Sequence, residues 1–193
     1  MSGLKRLWNL IPAMLLWAML SIFFWGWIFT LITDTEPENK LTVFVDAAIP
    51  DATALAVRLE QEVLGGQIRM VKAHPFTYAM LSSEELRCSD AYIVRESHLE
   101  EYREWFAPLP EVFAATLPAA RLWQPEGVPT GVLIWDAETG GGAAQTYITY
   151  SDPALPDEDC YLLFGAASLH LTGNPGSVDN AALQLAEALL GLP

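Results

Sequence analysis

Hydrophobic positions fall into two regimes along this chain. From Leu7 to Thr33 (LWNLIPAMLLWAMLSIFFWGWIFTLIT) no charge interrupts the run, and its length exceeds the roughly 20 apolar residues that carry a helix across a ~30 Å hydrocarbon core. A secretory signal has an apolar core of about 7–15 residues and a small-residue cleavage site; this run is longer and ends in Thr30-Leu31-Ile32-Thr33-Asp34. The pattern therefore predicts a helix that stays in the membrane. Pro12 falls in its first turns, where a missing N–H costs little. Trp8 and the Trp25/Trp27 pair fall near its two ends, at the level where indole rings prefer headgroups, and Trp17 falls mid-span.

Beyond the run the pattern shortens and begins to alternate in type. Residues 34–40 (DTEPENK) read as a polar linker. Leu41–Val45 is a β-branched strand, and Asp51 caps a helix over 52–64 whose Leu55, Leu59 and Val63 recur on one face before Gly65-Gly66. A second strand over 68–73 completes a βαβ unit, which implies a parallel pair. Residues 76–87 read as one or two short helical pieces, Ala91–Val94 as the third strand, and Ser97 as the cap of a helix over 98–106. After an irregular Ala- and Pro-rich stretch, Val132–Trp135 and Gln145–Tyr150 predict a hairpin around the Gly140-Gly141-Gly142 turn. Tyr161–Ala166 is a late buried strand, and Asp179 caps a closing helix over 180–190. Alternating strands and helices predict an α/β fold in which the transmembrane helix precedes one doubly wound, mostly parallel sheet. The domain boundaries that follow are 1–33 for stub and anchor, 34–40 for the linker and 41–193 for the α/β domain.

Charge adds an orientation. Lys5 and Arg6 precede the apolar run, while Asp34, Glu36 and Glu38 follow it, so the positive-inside bias places the N-terminus in the cytoplasm and the domain outside, as a single-pass cell-membrane protein. All 24 acidic residues, against eight of the ten basic ones, lie after Thr33, a formal charge near −16. That argues against nucleic acid or an anionic lipid surface as partner. An exported location permits a disulfide, and Cys88 and Cys160 each precede a strand, so one bond between them is geometrically open beside the alternative of two buried free thiols.

Candidate chemistry enters last. In open α/β sheets ligands gather beyond the carboxyl ends of the strands, which selects Asp46, His74, Glu96, Ser97 and Asp136 as groups for a cation or a polar solute. Helix caps and polar loops are the competing account of the same residues. The spacing of His74, His98 and His170 matches no metalloprotease motif, and nucleophile elbows, phosphate loops and paired-cysteine motifs are missing, so neither enzyme activity, nor a cofactor, nor a metal is expected.

Four segments, LTVFVDA, SDAYIVRESHLEEYREWFAPL, YLLFGAASLHL and DNAALQLAEALLGL, occur in an order that resembles the sheet-forming lobe of extracellular solute-binding proteins of bacterial ABC transporters. The resemblance implies a periplasmic-binding-protein-like lobe that captures a ligand. Complete members have two lobes, and this chain has length for one, held by a helix rather than by a lipidated cysteine. The expected function is accordingly a membrane-anchored, extracytoplasmic domain that recognises a small-molecule ligand or a partner protein. The alternative is an assembly subunit of a membrane complex, with no small-molecule ligand and with a membrane protein partner held through the anchor helix.

Overall fold

The computed structural model describes residues 2–33, 35–63, 68–77, 83–118, 121–174 and 176–193, with the side chains of the first helix described over 11–29. Contacts divide the chain into Met1–Glu36 and Pro37–Pro193. The first unit is helix α1, Ser2–Thr33, with Pro12 inside it. Its segment Ile11–Phe29 is long and apolar enough to cross a membrane, and its large side chains, Trp17, Phe23, Trp25 and Phe29 among them, are exposed. The helix is compatible with a single-pass anchor, and its place near the N-terminus also fits a signal sequence.

The second unit is a mixed α/β domain built on one eight-stranded sheet in the order β2-β1-β3-β8-β6-β5, with β4 on β8 and β7 on β6. In chain order the strands are β1 (Lys40–Val45), β2 (Met70–Pro75), β3 (Ala91–Arg95), β4 (Phe106–Ala107), β5 (Leu122–Trp123), β6 (Gly131–Asp136), β7 (Gly141–Gly142) and β8 (Cys160–Gly165). The helices are α2 (Ala52–Val63), α3 (Glu84–Arg87), α4 (Glu111–Ala115) and α5 (Ala181–Gly191). β1 pairs in parallel with β2 and β3, whereas β8 is antiparallel to both of its long neighbours, β3 and β6. Five strands, β1, β2, β3, β4 and β6, consequently point one way, although only β2, β1 and β3 are parallel neighbours.

Strand periodicity sorts the core into two layers. Leu41, Val43 and Val45 of β1, with Ile93 of β3, face one side, where α2 buries Leu55, Leu59 and Val63 and α5 buries Ala182, Leu185 and Leu189. A fully buried leucine there contributes roughly 1.5–3 kcal/mol, and α2 and α5 pack against one another as well as on the sheet. Phe44, Tyr92 and Val94 point to the opposite side and meet Leu86, Leu99, Tyr102 and Phe106. Among the described residues two long helices, α2 and α5, thus cover one face and short elements cover the other, so the sheet is not flanked by long helices on both faces as a doubly wound fold would require.

Three local expectations change. The helix expected over 98–106 is replaced by two 3-10 turns, Glu96–His98 and Arg103–Trp105. Leu99, Tyr102 and Phe106 still bury one side, but the chain must reach β4 by Phe106 to pair with Phe164 and Gly165, and Ser97 caps no helix because it lies inside the turn Glu96–His98, where its N–H donates to Glu158. The partner of β6 in the hairpin is Gly141–Gly142 rather than residues 145–150. Ala144, at φ 57°, starts a turn whose carbonyl accepts from Tyr147 and Ile148, leaving Thr149 a single bridge to Ala48. The helix stop expected at Gly65-Gly66 and part of the connection over 76–87 lie outside the described residues.

Candidate functional site

Four of the five strand-end residues selected from the sequence come to one edge. Asp46 follows β1, and its Oδ2 accepts from His98 Nδ1 at 2.6 Å and from the Arg95 N–H at 3.4 Å. Arg95, which closes β3 and is buried, donates from Nε to the Asp46 carbonyl and from Nη2 to the Tyr150 carbonyl, both at 3.1 Å. Its Nη1 lies 3.9 Å from Glu158 Oε1. The other Glu158 oxygen accepts the Ser97 N–H at 2.9 Å. Asp159 then spans β3 and β6: its carbonyl accepts the Glu96 N–H, and its Oδ1 accepts the Ala137 N–H at 2.9 Å. Asp136 turns back onto the N–H groups of Thr139 and Glu138, which hold its carboxyl below the usual carboxylate range. Burial raises the Tyr161 phenol, and the nearby carboxylates of Asp159, Glu96 and Asp136 add to that rise, as expected if all three face it.

His74 does not join them. Its ring stacks on Phe44 at 5.2 Å between centroids, and its Nε2 lies 3.9 Å from Glu85, on a carboxylate that Lys40 and Lys72 also approach at 3.4 Å. Burial lowers the imidazole and the two lysines reinforce that, against the pull of Glu85. Among the described residues, no group of three or more His, Cys, Asp or Glu is placed to hold a metal ion.

The cysteines are both free, with Cys88 exposed and Cys160 buried. The disulfide left open by the sequence is excluded by strand direction. Both cysteines precede strands, but β8 runs antiparallel to β3, so Cys160 pairs with Arg95 while Ala91 pairs with Phe164. Cys88 lies before Ala91, and a strand of five residues at about 3.4 Å each separates the two sites, far beyond the roughly 7 Å that a disulfide spans between Cα atoms. Nor are both thiols buried. Burial pushes the Cys160 thiol up to about 12.

At the other end of the parallel strands lies an open groove of about 440 Å³. It forms where the loop after β8, delivered there by its antiparallel direction, meets the start of β1 and the segment from α3 to β3. Lys40, Glu84, Glu85 and Cys88 line its outer part, Leu169 supplies an apolar wall, and Asp90 and His170 lie at its back. Asp90 is held by the Ser168 hydroxyl at 2.6 Å and the Thr42 N–H at 2.8 Å. Burial raises its pKa even so, against both hydrogen bonds. His170, 1% exposed, points Nδ1 at Asp179 Oδ1, 2.8 Å away, and Nε2 at the Pro37 carbonyl, 3.2 Å away. Burial works to lower its pKa, but the Asp90 carboxylate together with the bonds to Asp179 and Pro37 prevails and raises it above 6.5. A second open depression continues past Glu84, Cys88 and Ala167 to Glu104 and Trp105.

Residue selection from strand carboxyl ends passes over Asp90 and His170, because both lie at the amino ends of β1 and β3. The available signal is the same rule applied to β8: His170 follows that strand's carboxyl end, once its reversed direction is known. Comparison with family models, with curated proteins and with solved structures finds no match for this chain.

Proposed function

We propose that this chain is a membrane-anchored binding domain, a single-lobe relative of bacterial solute-binding proteins, whose amino-end groove takes a small polar solute or a short segment of a partner protein. α1 remains in the bilayer with Lys5 and Arg6 on the cytoplasmic side, and the acidic domain lies outside the cytoplasm. The observation that carries the reading is the groove: about 440 Å³, with an apolar wall and two buried ionisable groups at its back, in the size range of roughly 300–1,000 Å³ usual for small-molecule sites. Anchoring raises the effective concentration of membrane partners.

The carboxyl edge supports a different role. Asp46, Arg95, Ser97, Glu158 and Asp159 bond to one another or to nearby backbone, so they hold loops together, with the buried Arg95 Nη1 left without a hydrogen-bond partner, 3.9 Å from Glu158. That edge favours, as the second reading, an assembly subunit that binds no solute.

Calorimetric titration of the full-length chain in lipid nanodiscs with sugars, amino acids, short peptides and divalent cations separates the two. A saturating solute or peptide is expected, with affinity at least about tenfold weaker in Leu169→Trp, which fills the groove, and unchanged in Glu96→Ala. Silence across the panel, with the chain folded, rejects capture and leaves the assembly role. Loss of binding in Glu96→Ala alone moves the site to the carboxyl edge.

A further inference from the structure

His170 is hydrogen-bonded through both ring nitrogens. A peptide carbonyl can only accept, so the nitrogen facing Pro37 O must carry a proton. Asp179 Oδ1, which also accepts the Ala181 N–H at 3.0 Å, faces the other ring nitrogen at 2.8 Å, and a carboxylate there takes a hydrogen bond from a protonated nitrogen. Both ring nitrogens thus face acceptors, an arrangement that suits an imidazolium, with the ring buried between a carboxylate and the carbonyl of the turn Pro37–Asn39 through which the chain enters the second unit. Pro37 and His170 line the same groove.

We propose that His170 is a proton-operated clip that holds the Pro37–Asn39 turn against the groove and releases it when the ring loses a proton to solvent. This rests on the groove being the binding site. The neutral ring keeps the proton facing Asp179, because that bond is shorter and charge-assisted. The Nε2 lone pair then faces the Pro37 carbonyl lone pairs, two acceptors without a hydrogen between them. Release lets the Pro37 side of the groove move and makes occupancy depend on pH.

The charged groups around the ring support the direction. Asp179, ahead of α5, and Asp90, ahead of β3, both favour the cation. Lys40 of β1, on the groove wall, is paired with Glu85, and Glu84 and Cys88 lie on the same wall. The folded-state pKa is above the unfolded 6.5, so the clip is fully closed below 6.5 and opens as pH rises through the folded value.

The test needs no ligand, so its failure is distinct from failure of the binding reading. The chain has three histidines, and nitrogen-labelled imidazoles in the full-length protein in nanodiscs can be titrated by NMR from about pH 5 to about pH 9. One ring should remain doubly protonated above pH 6.5, and its signal should vanish in His170→Gln. Hydrogen exchange, corrected for its intrinsic pH dependence, should show protection at residues 38–40 falling about fivefold or more as that ring deprotonates. Asp179→Asn should move both transitions to lower pH, which loss of packing alone would not do. A His170 ring that is neutral at pH 6, or protection that does not change through its titration, overturns the proposal. The wild-type measurements decide it even where the variants fail to fold.

Discussion

The two ends of the sheet carry similar residue types and do opposite things with them. At the carboxyl edge Asp46, Glu158 and Asp159 find donors in His98, Arg95 and backbone N–H groups, so the acidic loop before β8 is pulled down and sealed. At the amino end Asp90 and His170 are as fully bonded, but they form the back of an open groove rather than a plug. The difference comes from β8. Because it runs against β3, its preceding loop closes the carboxyl edge, and its following loop rises beside the amino ends of β1 and β3. A buried polar group therefore suggests a site only when there is space in front of it.

The largest expected break in this comparison is at Gly165. A Cβ there would collide with the Ser89 carbonyl, which pins the β8 exit to the segment carrying Asp90, so Gly165→Ala should destabilise the fold by about 4 kcal/mol. Denaturant unfolding of the full chain in detergent measures this, and a midpoint equal to wild type would mean that the groove's back wall is not held there. Next in size is the seal at the other end. Arg95→Leu leaves the Asp46 and Tyr150 carbonyls without their donor and should cost about 2–3 kcal/mol, while Cys88, at the far end of β3, keeps its alkylation rate. A change in that rate would show the two ends to be coupled.

The smallest effect sharpens strand direction itself. Purified without reductant, the native protein should show one fast-reacting thiol, Cys88, because Cys160 is buried and its pKa is pushed up to about 12. Both thiols should react after unfolding. Fewer than two in denaturant would demand a bond that the antiparallel β3–β8 pairing forbids.

Much of the molecule is legible in the residues, because most elements are set by local pattern. The uncharged run before Asp34, the βαβ opening, the faces of α2 and α5 and the Asp51 cap, whose Oδ1 accepts the Ala54 N–H at 2.9 Å, follow from spacing and side-chain chemistry. Residues 98–106 were less legible, since Leu99, Tyr102 and Phe106 suit one face of a helix and a pair of tight turns equally well. So was the Gln145–Tyr150 stretch, whose alternation serves instead to stack Tyr150 on Trp135 at 5.0 Å.

What the sequence by itself determined is the order and type of the main elements, the apolar helix at the start and the acidic surface, each a property of composition or of near neighbours. Tertiary structure alone decided that β8 enters between β3 and β6 in reverse. Strand direction depends on which distant segments pair, and apolar alternation reads the same in either direction. That one pairing separates Cys88 from Cys160, closes the edge where Asp46 and Glu96 lie, and sets His170 between Asp179 and Pro37.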